Sequence, residues 1–140
     1  MTRPFEGISV GEELPQLRRV VSPDDVRAYA EAGGDRNPLH LDDAFARGAG
    51  YDGVIAHGMF TMGHMAACVV AWAEDSAAVT AISANFRATV PMGQEIVAGG
   101  RVRALDPETN TATLELWVSS ERGGETDWPI KRGEATVRLD

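Results

Sequence analysis

Hydrophobic and polar positions divide the chain into two parts of different periodicity. The first 20 residues read as loop and strand, with Leu17 and Val20-Val21 as the inward positions. Ser22-Pro23-Asp24-Asp25 then opens a helix: Ser22 can cap it, Pro23 suits its first position, and two acids in the first turn oppose its dipole. Val26, Tyr29 and Ala30 give that helix an apolar stripe, and Gly33-Gly34 ends it. Asn37-Pro38 forbids helix, so Asp35 to His40 is a turn. A short helix over Asp43–Arg47 and a Gly-rich loop to Asp52-Gly53 follow. Val54 to Ala73 then runs for 20 residues without Asp, Glu, Lys or Arg. That is long enough to cross a bilayer. It holds His57, His64, Thr61 and two glycines, however, and no similar stretch recurs, which fits a central helix buried on all sides.

Beyond this segment the period changes from helical to alternating. Ala84–Val90, Glu95–Leu105, Thr111–Ser120 and Ile130–Leu139 read as strands, the clearest signal being Leu114, Leu116 and Val118 alternating with Glu115, Trp117 and Ser119. Pro91-Met92-Gly93, Asp106 to Asn110 and Arg122-Gly123-Gly124 are the turns. One apolar helix followed by an antiparallel meander predicts an α+β domain, a curved sheet wrapped around a helix. No repeat or linker interrupts 1–140, so one domain is expected.

Composition narrows the function classes. Thirteen basic against 21 acidic residues give a net charge of −8, and each half carries −4 (six basic and ten acidic in 1–70, seven and eleven in 71–140). No basic stripe hides in the average, so neither nucleic acid nor an anionic membrane is an expected partner. A single cysteine, Cys68, excludes a disulfide framework and reads as an inert buried thiol. The N-terminus lacks the apolar run of a secretion signal, and a cytoplasmic protein is expected.

The candidate chemistry lies in Gly34-Asp35-Arg36-Asn37-Pro38-Leu39-His40 and in Ile55-Ala56-His57-Gly58-Met59. Asp35 and His40, five apart on a Pro-stiffened turn, bring a carboxylate and an imidazole close together. That pairing suits acid–base work on a water molecule. The same residue types also fit a purely structural turn, with Asp35 capping and His40 packed at a helix start. Asn37 is expected to bond to backbone groups and help hold Asp35. His57 and His64, seven apart, fall on one helix face. Without a third ligand or i,i+4 spacing they do not predict a metal site. His57 is expected to line the site or orient its loop, and His64 to be a core or interface histidine.

Gly-Asp-x-Asn-Pro-x-His, preceded by Tyr29 and followed by Ala56-His57-Gly58-Met59, resembles the MaoC-like (R)-specific enoyl-CoA hydratases, which have the hot-dog fold. Val10 to Pro15 resembles that family's opening segment, Asn85 to Gly93 its F-x-x-P-x-x-x-G strand end, and Gly100 to Glu108 the B subunit of the mycobacterial-type 3-hydroxyacyl-thioester dehydratase. The resemblance covers nearly the whole chain. It implies that Asp35 and His40 activate one water, and that Gly58 supplies the backbone contact for the thioester oxygen. A glycine opening a helix suits that role, because free amides and the positive dipole end meet the developing enolate oxygen there.

The implied reaction is reversible hydration of trans-2-enoyl thioesters, of coenzyme A or acyl carrier protein, to (R)-3-hydroxyacyl thioesters, with no cofactor or metal. Met59, Phe60, Met62, Met65 and Trp72 then read as core, some lining an acyl tunnel. The implied assembly is a dimer, with an identical chain or with a second hot-dog subunit, in which the sheet continues between subunits and the active site adjoins the interface. Two alternatives stand beside this. A hot-dog thioesterase would place a carboxylate on the central helix, where 57–72 has none. A non-catalytic subunit of a heteromeric dehydratase would be expected to lose the dyad, and this chain has both residues.

Overall fold

The computed structural model describes all of residues 1–140. A five-stranded, wholly antiparallel sheet holds β1 (Leu17–Val20), β2 (Val79–Phe86), β3 (Glu95–Asp106), β4 (Thr111–Arg122) and β5 (Glu125–Arg138) in the spatial order β1-β3-β4-β5-β2. Between β1 and β2 the chain forms α1 (Pro23–Gly33), a 3-10 turn (Pro38–His40), α2 (Asp43–Gly48) and the central helix α3 (Gly58–Ala73). This is the expected α+β architecture, an antiparallel sheet set against a long central helix, the hot-dog arrangement.

Local chemistry fixes the α elements as the sequence predicts. Ser22 accepts from the Asp25 backbone N–H while the Asp25 carboxylate accepts from Ser22 N–H, a reciprocal box with Pro23 inside it. Arg19 clasps the same Asp25, with Nη2 2.6 Å from its Oδ1, and this contact holds the Asp25 carboxyl below its usual range. Gly34 ends α1 at φ 79°, a left-handed value that costs glycine little. The sheet's inner face is written in β4, where Ala112, Leu114, Leu116, Val118 and Ser120 are buried and the residues between them are not. Against that face α3 lays Met65, Cys68, Val69 and Trp72. Gly133 on β5 permits the approach, since a Cβ there would lie 2.7 Å from the Met65 sulfur.

Several expectations need correction. The helix is not buried on all sides: Met59, at 54% exposure, together with Gly63, Ala67 and Ala71, forms an uncharged outward stripe at four-residue spacing. Met59 is therefore surface rather than core, whereas Met65 and Trp72 are core. Val20 is exposed on the edge strand, and only Val21 points inward. β2 spans Val79–Phe86 rather than Ala84–Val90. After Phe86 the chain leaves the sheet to pair with the loop before α3, with Ala56 N–H bonded to Val90 O and a bridge between Ile55 and Pro91. β5 begins at Glu125 and runs through Pro129 at a register shift, a place where a strand tolerates a residue without an N–H.

His64 is a core histidine, 9% exposed, whose Nε2–H donates to Leu17 O at 2.8 Å. Burial pushes its pKa down, against the opposing effect of that hydrogen bond, so the ring is neutral. Cys68 is buried and donates to Pro15 O. Burial pushes its thiol up, which makes it unreactive.

Candidate active site

The turn and the entrance to α3 fold onto each other. Asn37 Oδ1 accepts from Leu39 N–H, starting the 3-10 turn that carries His40. It is the Asn37 backbone N–H, not its side chain, that reaches the Asp35 carboxylate, at 3.2 Å. The Asn37 side chain thus shapes the turn, and its amide restrains Asp35. Leu39 O accepts from Ile55 N–H, which ties the turn to the strand-like loop leading into α3.

Hydrogen bonding fixes the tautomers. His40 Nδ1 lies 2.7 Å from Ile55 O, and a carbonyl can only accept, so Nδ1 carries the proton and Nε2 is free. His57 Nε2 is likewise the donor to Asp35 O, at 2.9 Å. His57 is 2% exposed, and its Nδ1 has no partner. Its ring stacks on His40 at a centroid distance of 3.9 Å and 27° between planes, with Tyr29 against it at 4.7 Å. One donor atom from each of Asp35, His40 and His57 lies within 4.8 Å of the others. A water making two bonds of ~2.8 Å at a tetrahedral angle spans ~4.6 Å, a length comparable with this separation.

His57 is the N-cap of α3, not a member of its first turn, and makes no side-chain cap bond. The expectation that His57 and His64 share a helix face is therefore wrong: His57 turns to the dyad and His64 to β1. The first α3 amides to find an intrachain acceptor are those of Phe60 and Thr61, both bonded to His57 O. The N–H groups of Gly58 and Met59 remain open at the positive end of the helix. The ring of Phe86 lies over Gly58, and a Cβ there would be 3.3 Å from it. A cleft of about 210 Å³ adjoins these groups, lined by His40, Gly58, Thr61, Phe86, Thr89 and Pro129 among others. Larger grooves of about 470 and 510 Å³ hold ion-paired residues such as Arg18 and Glu95, or Arg103 and Glu134, and include none of these groups.

The arrangement offers a carboxylate and an imidazole close together, an open helix end and an apolar-walled cleft. Residues 7–121 match the MaoC like domain. The chain belongs to the MaoC-like family. It is 37% identical over 137 residues to a 3-hydroxybutyryl-CoA dehydratase of Methylorubrum extorquens, covering 96% of this chain and 83% of that one. A solved MaoC-like dehydratase superposes with a TM-score of 0.91 at 34% identity over 99% of this chain, which spans 43% of that larger chain. The (R)-hydratase of Aeromonas caviae superposes with a TM-score of 0.86 at 29% identity, covering 96% and 99% of the two chains. These activities add water or remove it, and the chain is a hydro-lyase of the MaoC-like family.

The residues expected from the sequence, Asp35, Asn37, His40, His57 and Gly58, all meet here. Sequence reasoning missed the orienting carbonyl of Ile55, the cleft wall made by Phe86, Thr89 and Pro129, and the packing of Tyr29 on His57. The aromatic residue before the motif is the one signal that pointed to the last of these.

Proposed function

We propose that this MaoC-like protein reversibly adds water to trans-2-enoyl thioesters, of coenzyme A or acyl carrier protein, and forms (R)-3-hydroxyacyl thioesters. The observation that carries the reading is the His40 ring, oriented by the Nδ1–H bond to Ile55 O so that Nε2 is left unprotonated, with one of its nitrogens within 4.8 Å of an Asp35 carboxylate oxygen. The thioester oxygen sits at the open amides of Gly58 and Met59. The dyad takes one proton from the water as oxygen bonds to C3. The electron pair of the double bond moves toward the thioester oxygen, and a proton returns from the dyad to C2 on the same face. The net addition is one water, and no cofactor enters. Chiral analysis of hydrated crotonyl-CoA is the test. Predominantly R product is expected, while S product, or free crotonate from thioester hydrolysis, overturns the reading. Hydrolysis is disfavoured because α3 offers no carboxylate, and a purely non-catalytic role because Asp35 and His40 are both in place.

The proposal extends to assembly. β2 is a free eight-residue edge, Phe86 at its end is 49% exposed, and α3 presents the Met59, Gly63, Ala67, Ala71 stripe. An unpaired edge beside an exposed apolar stripe invites a partner. The chain acts as a dimer of hot-dog subunits, identical or related, with the sheet continued across β2 and the dyad beside the partner. Light scattering on the purified chain is expected to give twice the monomer mass. An active monomer would rule the dimer out, and a silent homodimer revived by a second hot-dog subunit would select the heteromeric form.

A further inference from the structure

Two of the three tryptophans lie outside the core. Trp72 is 3% exposed and carries the Arg3 guanidinium over its ring at 4.8 Å. Trp117 alternates with the buried residues of β4 and so faces away from α3. On that outer face Trp117 and Trp128 line a groove of about 280 Å³ together with Arg101 and Lys131. None of these four residues lines the cleft beside His40.

The strands are shaped to make this groove. Gly99 is the partner of Trp117 across the β3–β4 ladder, and a Cβ there would stand 2.8 Å from the indole Nε1. The missing side chain lets the indole settle over β3 beside Arg101. β5 is irregular at the same level. From Leu116 to Val118, and again from Val118 to Ser120, two steps on β4 match three on β5 (Gly133 to Ile130, then Ile130 to Asp127). Each shift adds a residue to β5, and such bulges re-aim side chains. In an unbroken strand Trp128 would share the inner face with Ile130. Here Ile130 is buried, whereas Trp128 is turned outward at 38% exposure.

The charge of the groove runs against that of the chain. Its lining carries two cations and no carboxylate, although the net charge is −8. Each of the three larger grooves includes at least one acidic residue. Arg101 donates through Nε to Glu115 at 3.0 Å, which offsets its charge. Lys131, the one lysine of the chain, is exposed and enters none of the ion pairs. The uncompensated charge is therefore its ammonium. Neither Trp117 nor Trp128 stacks on another ring or lies beneath a cation. Their rings are left to a ligand.

We infer that the Trp117–Trp128 groove binds a planar aromatic anion, with its rings against the indoles and its charge at Lys131. A volume just under the ~300–1,000 Å³ of ordinary small-molecule sites suits a ligand of one or two rings. Four lining residues give no track along which a peptide could extend. Indoles prefer offset or edge-on contact with another ring, and a half-exposed ammonium beside them supplies the charge-assisted bond. The site is separate from the proposed hydration and does not depend on it.

Isothermal titration with 2-naphthoate and with its neutral isostere 2-naphthamide tests the inference. One equivalent of naphthoate is expected to bind, about tenfold more tightly than the amide, the size of one charge-assisted contact. Lys131→Gln is expected to weaken naphthoate about tenfold and leave the amide unchanged. Trp128→Ala is expected to weaken both ligands by about the same factor, as loss of an aromatic contact does. Both side chains are exposed, so both variants keep the core, which circular dichroism checks. Saturating coenzyme A is expected to leave the naphthoate isotherm unchanged. Equal affinity for acid and amide overturns the inference, as does binding that survives both substitutions. Displacement of naphthoate by coenzyme A also overturns it, by returning the groove to the thioester's own site.

Discussion

Asp35→Asn and His40→Ala are each expected to lower kcat for crotonyl-CoA hydration by at least ~100-fold, the scale of a lost acid–base group. Asn keeps an oxygen to accept the Asn37 N–H but cannot take a proton from water, so the turn survives and its chemistry does not. His40→Ala removes the unprotonated Nε2 assigned to the water in the proposed reaction, together with one bond to Ile55 O. Asp35 is exposed and His40 half-buried, so neither loss touches the core. If both groups act on one water, as proposed, the double variant should be hardly slower than the worse single one. Turnover of all three variants, with circular dichroism to confirm folding, decides it. Wild-type kcat in either single variant removes that residue from the mechanism, and losses that multiply in the double show two separate roles.

What the sequence disclosed and what it hid follow the range of the interactions. The start of α1 was legible because Ser22, Pro23 and Asp25 act on their own turn, and β4 because alternation needs no partner to be visible. The start of β2 was hidden, since Val79 to Ser83 gain strand form from β5, more than 50 residues away. The route of β5 through Pro129 depends on a register shift against β4, which no local pattern announces. The exposed stripe on α3 was hidden for a related reason: an uncharged helix reads as wholly buried whether a sheet or a partner covers its last flank. In the site, Asp35, Asn37 and His40 were legible because six residues of turn chemistry bring them together. His57 was recognised as site-lining but placed on the wrong face. Its stack on His40 depends on how the turn folds over the head of α3, a contact between segments 17 residues apart.

That stack motivates the second large expected effect. His57 touches both halves of the dyad: its ring lies against His40, and its Nε2–H holds the backbone of Asp35. It also sits immediately before the open amide of Gly58. A displacement of about 1 Å among reacting groups can cost ~100-fold, so His57→Ala is expected to reduce kcat by roughly 10- to 100-fold with KM little changed. Two further variants separate the contacts. His57→Phe keeps a ring between Tyr29 and His40 but cannot bond to Asp35 O, whereas His57→Gln offers an N–H without the stack. Recovery of kcat in the Phe variant assigns the effect to the orientation of His40, and recovery in the Gln variant to the placement of Asp35. A merely structural histidine would behave differently. Its replacement would lower the melting temperature and leave the kcat of the folded fraction unchanged. The cavity left by His57→Ala will itself cost stability, so kcat is measured per folded molecule and well below the melting transition. Full wild-type kcat in folded His57→Ala would show that Asp35 and His40 hold their water without it.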